Sequence, residues 1–206
     1  MDITIKPAQE LSEYEVRGMA GVMNQSYYLS KMATSFQNGL SMNIKQLCAY
    51  ATADSSIIAT CVIKVHQSDN YHPISDAYPS VYFKHMAVMH EHQSKGIGTA
   101  LVRKALPQAF KYFETPIIWS ESAELGALKF YNRLEAWFSI SSIEKANPKI
   151  SPQENKTCLK AMLEHSGINQ WRLPNDILFA WVADNAPAQA YLTSHVFRKQ
   201  GIINTY

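Results

Sequence analysis

Apolar and polar positions alternate over Ile3 to Lys6, which predicts a short strand that ends at Pro7. From Glu10 to about Leu47 the spacing turns helical and is rich in Met, Tyr and Gln, with Asn38-Gly39 expected to break it. Cys48 to Ala53 and Ile57 to His66 are β-branched or alternating runs around the turn residues Asp54-Ser55-Ser56, which is the pattern of a hairpin. Ser68 to Ser80 reads as a loop with two prolines and two aspartates, and Val81 to Met89 as a strand. After a charged loop, Gly96-Ile97-Gly98 opens a helix in which Leu101, Ala105, Ala109 and Phe113 recur every four residues. Val102, Leu106 and Phe110 run beside them, so the buried stripe is two residues wide and leaves Arg103, Lys104 and Lys111 outside. A kink is expected near Pro107.

Thr115-Pro116 stops this helix, and Ile117 to Trp119 starts a buried strand. A second helix is expected from about Ala123 to Leu134, with Ala127, Phe130, Tyr131 and Leu134 on one face. Beyond it the pattern predicts a strand from Phe138 to Ile143 and a linker from Asn147 to Pro152. A helix over Gln153 to His165, a strand over Asp176 to Val182 and a last helix from Asn185-Ala186-Pro187 follow. This order predicts one α/β domain with a mixed sheet. The segments over about 147–206 form a C-terminal elaboration that ends in an appended helix.

Composition narrows the class. The chain has 206 residues, 47% of them hydrophobic and 17% charged, ordinary for a soluble globular protein. A net charge of +2 argues for neither nucleic acid nor an anionic membrane surface. Cys48, Cys61 and Cys158 form no C-x-x-C pair, so neither a disulfide framework nor a metal site is expected. Without a signal-peptide pattern or a membrane-length apolar run, the expected address is the cytoplasm.

The candidate chemistry sits at the glycines. A strand that runs through a glycine loop into a helix is a ready anion site, because loop and first-turn N–H groups converge and glycine admits close approach. A Walker loop, G-x-x-x-x-G-K-[ST], is absent. A dinucleotide loop fails too: Leu101 occupies the third glycine position, and His90 to Lys95 separate the strand from Gly96. What remains is Gln93-x-x-Gly96-x-Gly98 after a strand ending Met86-Ala87-Val88.

This pattern resembles the signature of the GNAT superfamily, the acyl-CoA-dependent N-acetyltransferases. Ala127, Phe130 and Tyr131 are similar to that family's later N-x-x-A-x-x-F-Y helix, and the resemblance covers about residues 3–143. It implies that this core is a mixed, mostly antiparallel central sheet flanked by helices. Two positions depart from it. Glu124 stands where the family often has asparagine, and Glu135-Ala136 replaces a Gly-aromatic pair, with Trp137 supplying the aromatic one position late. Asn185-x-x-Ala188-x-x-Tyr191 has a similar shape but would demand a long insertion.

The resemblance implies acetyl-CoA as cosubstrate, with no metal. The backbone of Met86, Ala87 and Val88 would hold the pantetheine arm, and Gln93, Ser94, Lys95, Gly96, Ile97, Gly98 and Thr99 the pyrophosphate loop, with Glu124 and Tyr131 as further contacts. It also implies direct attack of a primary amine, from a small molecule or peptide, on the thioester. Val88 N–H would donate to the oxyanion and Tyr131 would protonate the leaving thiolate. His85, Glu121 or a water relay would take the amine's proton. Tyr27, Tyr28, Met32 and Phe36, with Asp69 and Asp76, are candidates for the acceptor side, though core packing or solvation explains them equally well. An acyl-CoA-binding sensor or interaction domain without turnover is the alternative. No nucleic-acid or membrane partner is expected, and pairing with a second copy is open.

Overall fold

The computed structural model describes residues 1–25, 27–65, 81–139, 172–194 and 197–198. The chain divides into two compact units, Met1–Thr115 and Pro116–Tyr206. The expected linker near residue 147 and the helix over 153–165 lie outside the described residues, as do the 68–80 loop, Asp69, Asp76 and Cys158.

In the first unit, β1 (Asp2–Pro7), β2 (Gln46–Ala53), β3 (Ser56–Val65) and β4 (Val81–Val88) pair in that order, each antiparallel to the next. The β2–β3 hairpin closes as expected. Asp54 and Ser55 both take positive φ (48° and 62°), the backbone sign that two-residue hairpin turns require to match strand twist. One face of the sheet carries α1 (Glu13–Met23) and α2 (Tyr27–Ser41), and α3 (Ile97–Phe113) also packs on β2, β3 and β4. Met19, Met23 and Phe36, fully buried, join Cys48, Tyr50, Val62 and Ala87 in the core beneath α1 and α2. Phe36 is therefore a core residue, and Met32 packs against the same core.

Asn38-Gly39 does not break the helix: α2 runs to Ser41, and β2 starts at Gln46, ahead of the expected Cys48. A Cβ on Gly39 would lie 2.8 Å from the Gln46 amide nitrogen, so glycine here serves close helix–strand approach, not termination. α3 continues through Pro107, which sits on its exposed side, and ends at Glu114 in the left-handed conformation.

A buried carboxylate anchors α1. Ser12 and Glu15 form a capping box, in which the Ser12 N–H donates to Glu15 Oε2 at 2.6 Å. The same carboxylate accepts from the Tyr50 hydroxyl of β2 and pairs with Lys6 of β1 at 2.6 Å. Burial works against this charge, yet the hydrogen bonds from Lys6, Tyr50 and Ser12 outweigh it and hold Glu15 at about 2.

In the second unit, β5 (Ile117–Glu124), β7 (Arg172–Val182), β6 (Trp137–Ser139) and β8 (Phe197–Arg198) neighbour one another in that order, again antiparallel. β7, later in the chain than β6, is thus inserted between β5 and β6, and β8 pairs on the far side of β6. α4 (Leu125–Arg133) packs on β5 and β7, and α5 (Ala186–Ser194) follows β7, its Ala188 N–H capped by the Asn185 side chain at 2.9 Å. β5 runs longer than expected, so Ala123 and Glu124 are strand, not helix, and Glu121 lies within the strand. At the close of α4, Glu135 adopts φ 55° and Ala136 N–H returns to Tyr131 O at 3.2 Å. Glutamate thus occupies the left-handed position that glycine usually fills, and Trp137 begins β6.

Glu15→Gln should lower stability by about 1–2 kcal/mol at pH 7. The folded carboxyl titrates below its unfolded value, so its contribution is complete above about pH 5 and is lost as pH falls from ~4.5 towards 2. Urea unfolding of both proteins across that range should show the wild-type advantage shrinking to nothing.

Candidate functional site: the end of β4, the glycine loop and the polar sheet face

β4 delivers the chain into a short 3-10 turn, His90–His92, and then to α3. The turn is tied down at both ends. His92 N–H donates to Met89 O at 2.8 Å, and His90 N–H to the Gln25 side chain at 3.3 Å. Gln93 Nε2 donates to Val88 O at 3.1 Å, folding the loop back onto the strand end. Ser94 has φ 60°, and Gly96, the N-cap of α3, has φ 78°. A Cβ on Gly96 would meet nothing within 4 Å, so the loop is open on that side. The first amide to re-enter the helix ladder is Ala100, on Gly96 O at 3.0 Å. Among the described residues, the backbone amides from Ser94 to Thr99 have no acceptor within the chain. Successive free amides at a helix N-terminus, beside an open left-handed glycine, suit a pyrophosphate. Lys95 is exposed in this loop.

On β4 the register with β3 slips: Val62 pairs His85 but Ile63 pairs Phe83, which leaves Lys84 as the extra residue of a bulge. Tyr82 and His85, three apart, therefore share one face. Paired residues point the same way, so three rows cross this face. They are Gln46, Lys64 and Tyr82, then Lys6, Cys48, Val62 and His85, then Thr4, Tyr50, Thr60 and Ala87. His85 is 1% exposed, and neither ring nitrogen has a hydrogen-bond partner among the described residues. Burial first, then the charges of Lys64 and Lys84, push its pKa down to about 3. At neutral pH the ring is neutral and a weak base. Lys64 donates to Ser35 Oγ at 3.4 Å, and Lys84 lies 4.6 Å over the Tyr82 ring.

The second unit holds the other candidates. Tyr131 is 6% exposed, stacked on Phe179 at 4.2 Å, and its hydroxyl shares a 2.8 Å hydrogen bond with Ser120 Oγ. Glu121, next along β5, is half-buried and pairs across to Leu178. Glu124 closes β5 opposite Arg172.

The first unit thus brings together Met86, Ala87, Val88 and the loop from Gln93 to Thr99, with His85 on the same strand. The second sets Tyr131 of α4 against Ser120 of β5, with Glu121 the next residue of that strand. His90 and His92 lie on the loop surface, exposed and half-buried. Cys48 and Cys61 are buried free thiols pushed up by burial, Cys48 to about 12, as core residues would be. Sequence reasoning missed Ser120, Lys64 and Gln46. A lysine closing the apolar run Ile57 to Val65 was the only signal, and its partners come from other elements.

Residues 17–135, more than half of the chain, match the acetyltransferase (GNAT) family. No curated protein matches. Among solved structures, a protein assigned to the GNAT family from Desulfovibrio desulfuricans is similar at TM-score 0.53 and 11% identity, covering 88% of this chain and 99% of that one. The Corynebacterium glutamicum structure described as histone acetyltransferase HPA2 and related acetyltransferase is similar at TM-score 0.53 and 12% identity, covering 90% and 99%. At such identities these likenesses speak for the fold.

An unfolded histidine takes its proton near ~6.5 and the folded ring only at about 3, so His85 costs stability as pH falls through that window. Its ring signals, followed by NMR, should show no titration between about pH 5 and pH 8. A midpoint near ~6.5 would contradict the buried placement.

Proposed function

The chain belongs to the acetyltransferase (GNAT) family, and on that premise we propose that it acetylates a primary amine by direct attack on the thioester of acetyl-CoA. The observation that carries this reading is the run of unpaired amides from Ser94 to Thr99 around left-handed Gly96, straight after β4. These amides and the positive end of α3 would take the pyrophosphate, with Lys95 adding charge. The backbone of Met86, Ala87 and Val88 would align the pantetheine arm, and the Val88 N–H would meet the oxyanion.

The amine must be neutral to attack, and free alkylamines hold their proton to about pH 10. His85 has little affinity for that proton, which leaves Glu121 and solvent as the routes by which it departs. As the amine nitrogen bonds to the carbonyl carbon, the carbon–sulfur bond breaks and the thiolate takes a proton from Tyr131. The hydrogen bond to Ser120 and the stack on Phe179 support this role by holding the phenol in one orientation.

Coenzyme A at a hundredfold its dissociation constant should add about 2.7 kcal/mol to stability, seen as a raised melting temperature. Gly98→Asp, which sets a carboxylate among the free amides, should abolish the shift with the circular dichroism spectrum unchanged. No shift and no calorimetric heat with the wild type would overturn the reading.

Tyr131→Phe keeps the ring and its stack but deletes the proton. Acetyl-CoA should bind as before, while kcat falls at least about tenfold. Weaker binding with turnover intact would assign the hydroxyl to anchoring instead.

A further inference from the structure

Among the described residues, Lys64 is a cation with little to hold it. It is half-buried on the face beneath α2, and burial, then the charge of Lys84, lower its pKa. Among the described residues its one hydrogen-bond partner is the Ser35 hydroxyl at 3.4 Å, and no carboxylate faces it. His85 lies diagonally across from it, one row on, where diagonal neighbours on adjacent strands are about 7–8 Å apart. Its imidazole is almost wholly buried and neutral, so one ring nitrogen is a donor, yet neither nitrogen is paired. Buried polar groups in folded proteins are hydrogen-bonded as a rule, and a desolvated ammonium wants an anion. An ammonium and an N–H on one face, with the bulge at Lys84 turning both the same way, make a two-point receptor for a carboxylate.

We propose that Lys64 and His85 bind a carboxylate of the acceptor, so that the preferred substrate is an amine that also bears a carboxyl group. This rests on the acetyltransferase reading and deepens it. The ammonium of Lys64 neutralises the carboxylate, and the imidazole N–H of His85 supplies a directional contact that a carboxamide oxygen would accept more weakly. His85 is then a positioning group for the acceptor, which accounts for a histidine that burial has made a poor base. Lys84, exposed on the bulge, adds positive potential at the rim.

The test compares ω-aminocarboxylates of two to six carbons with their carboxamides, in matched pairs. For the wild type, kcat/KM should favour the acid of the best pair by at least about tenfold. In Lys64→Met that preference should disappear, mainly through KM, with the coenzyme A melting shift retained. Lys64→Arg should keep the preference. Equal use of acid and amide by the wild type, or a preference untouched in Lys64→Met, would overturn the inference and leave the acetyltransferase reading standing. If neither series is acetylated although coenzyme A binds, calorimetric titration of the coenzyme A-loaded protein decides. Tighter binding of the acids supports the inference, whereas equal binding or none overturns it.

Discussion

The register of β4 on β3 governs what the first unit can do. Strand residues alternate between faces, so a single extra residue exchanges every side chain that follows it. The bulge at Lys84 makes that exchange between Phe83 and His85. Without it, His85 would face away from Tyr82 and Lys64, and Ala87 would leave the core shared with Met19, Met23 and Phe36. With it, one strand turns its buried polar residue toward α1 and α2 and still carries its end into the glycine loop. Bulges concentrate where a strand must re-aim a side chain without losing its pairing.

Two kinds of buried polar group occupy that face, and they differ in how they are satisfied. Glu15 is a closed system: Ser12, Tyr50 and Lys6 saturate its carboxylate, and the result ties β1 and β2 to α1. His85 is open, with a buried ring and no partner among the described residues. The first arrangement holds structure together, because an ionised carboxylate in a nearly dry site is tolerable only when its lone pairs are filled. The second leaves hydrogen-bonding capacity for something that is not part of the chain. The glycine loop repeats the contrast in backbone form. Gln93 and the His90–His92 turn are tied down, and the amides after them are left free among the described residues.

Much of this was readable from pattern. β1, the hairpin, β4, the glycine loop and α3 fall where alternation, turn residues and the four-residue stripe put them, because each is a local response to local chemistry. The places that went astray are those where a distant element decides. Gly39 looks like a breaker until Gln46 is seen against it, and Ala123 and Glu124 look helical until β5 runs through them and Glu124 pairs with Arg172 of β7. Glu135 takes a left-handed position that sequence preference reserves for glycine, because Ala136 and Trp137 must return at once to β6.

The sequence by itself determined the element order, the buried stripe of α3 and the glycine loop from Gln93 to Gly98 that opens it. Spacing and side-chain size are enough to set such features. It also marked Tyr131 and His85 as chemistry-bearing residues. Only the tertiary structure decided what surrounds them. Ser120 meets Tyr131 because β5 and α4 pack together, and Lys64 shares a face with His85 because the bulge slips the register by one residue. A histidine's proton affinity depends on burial and neighbouring charge, and both are properties of the assembled sheet that no run of residues along the chain contains.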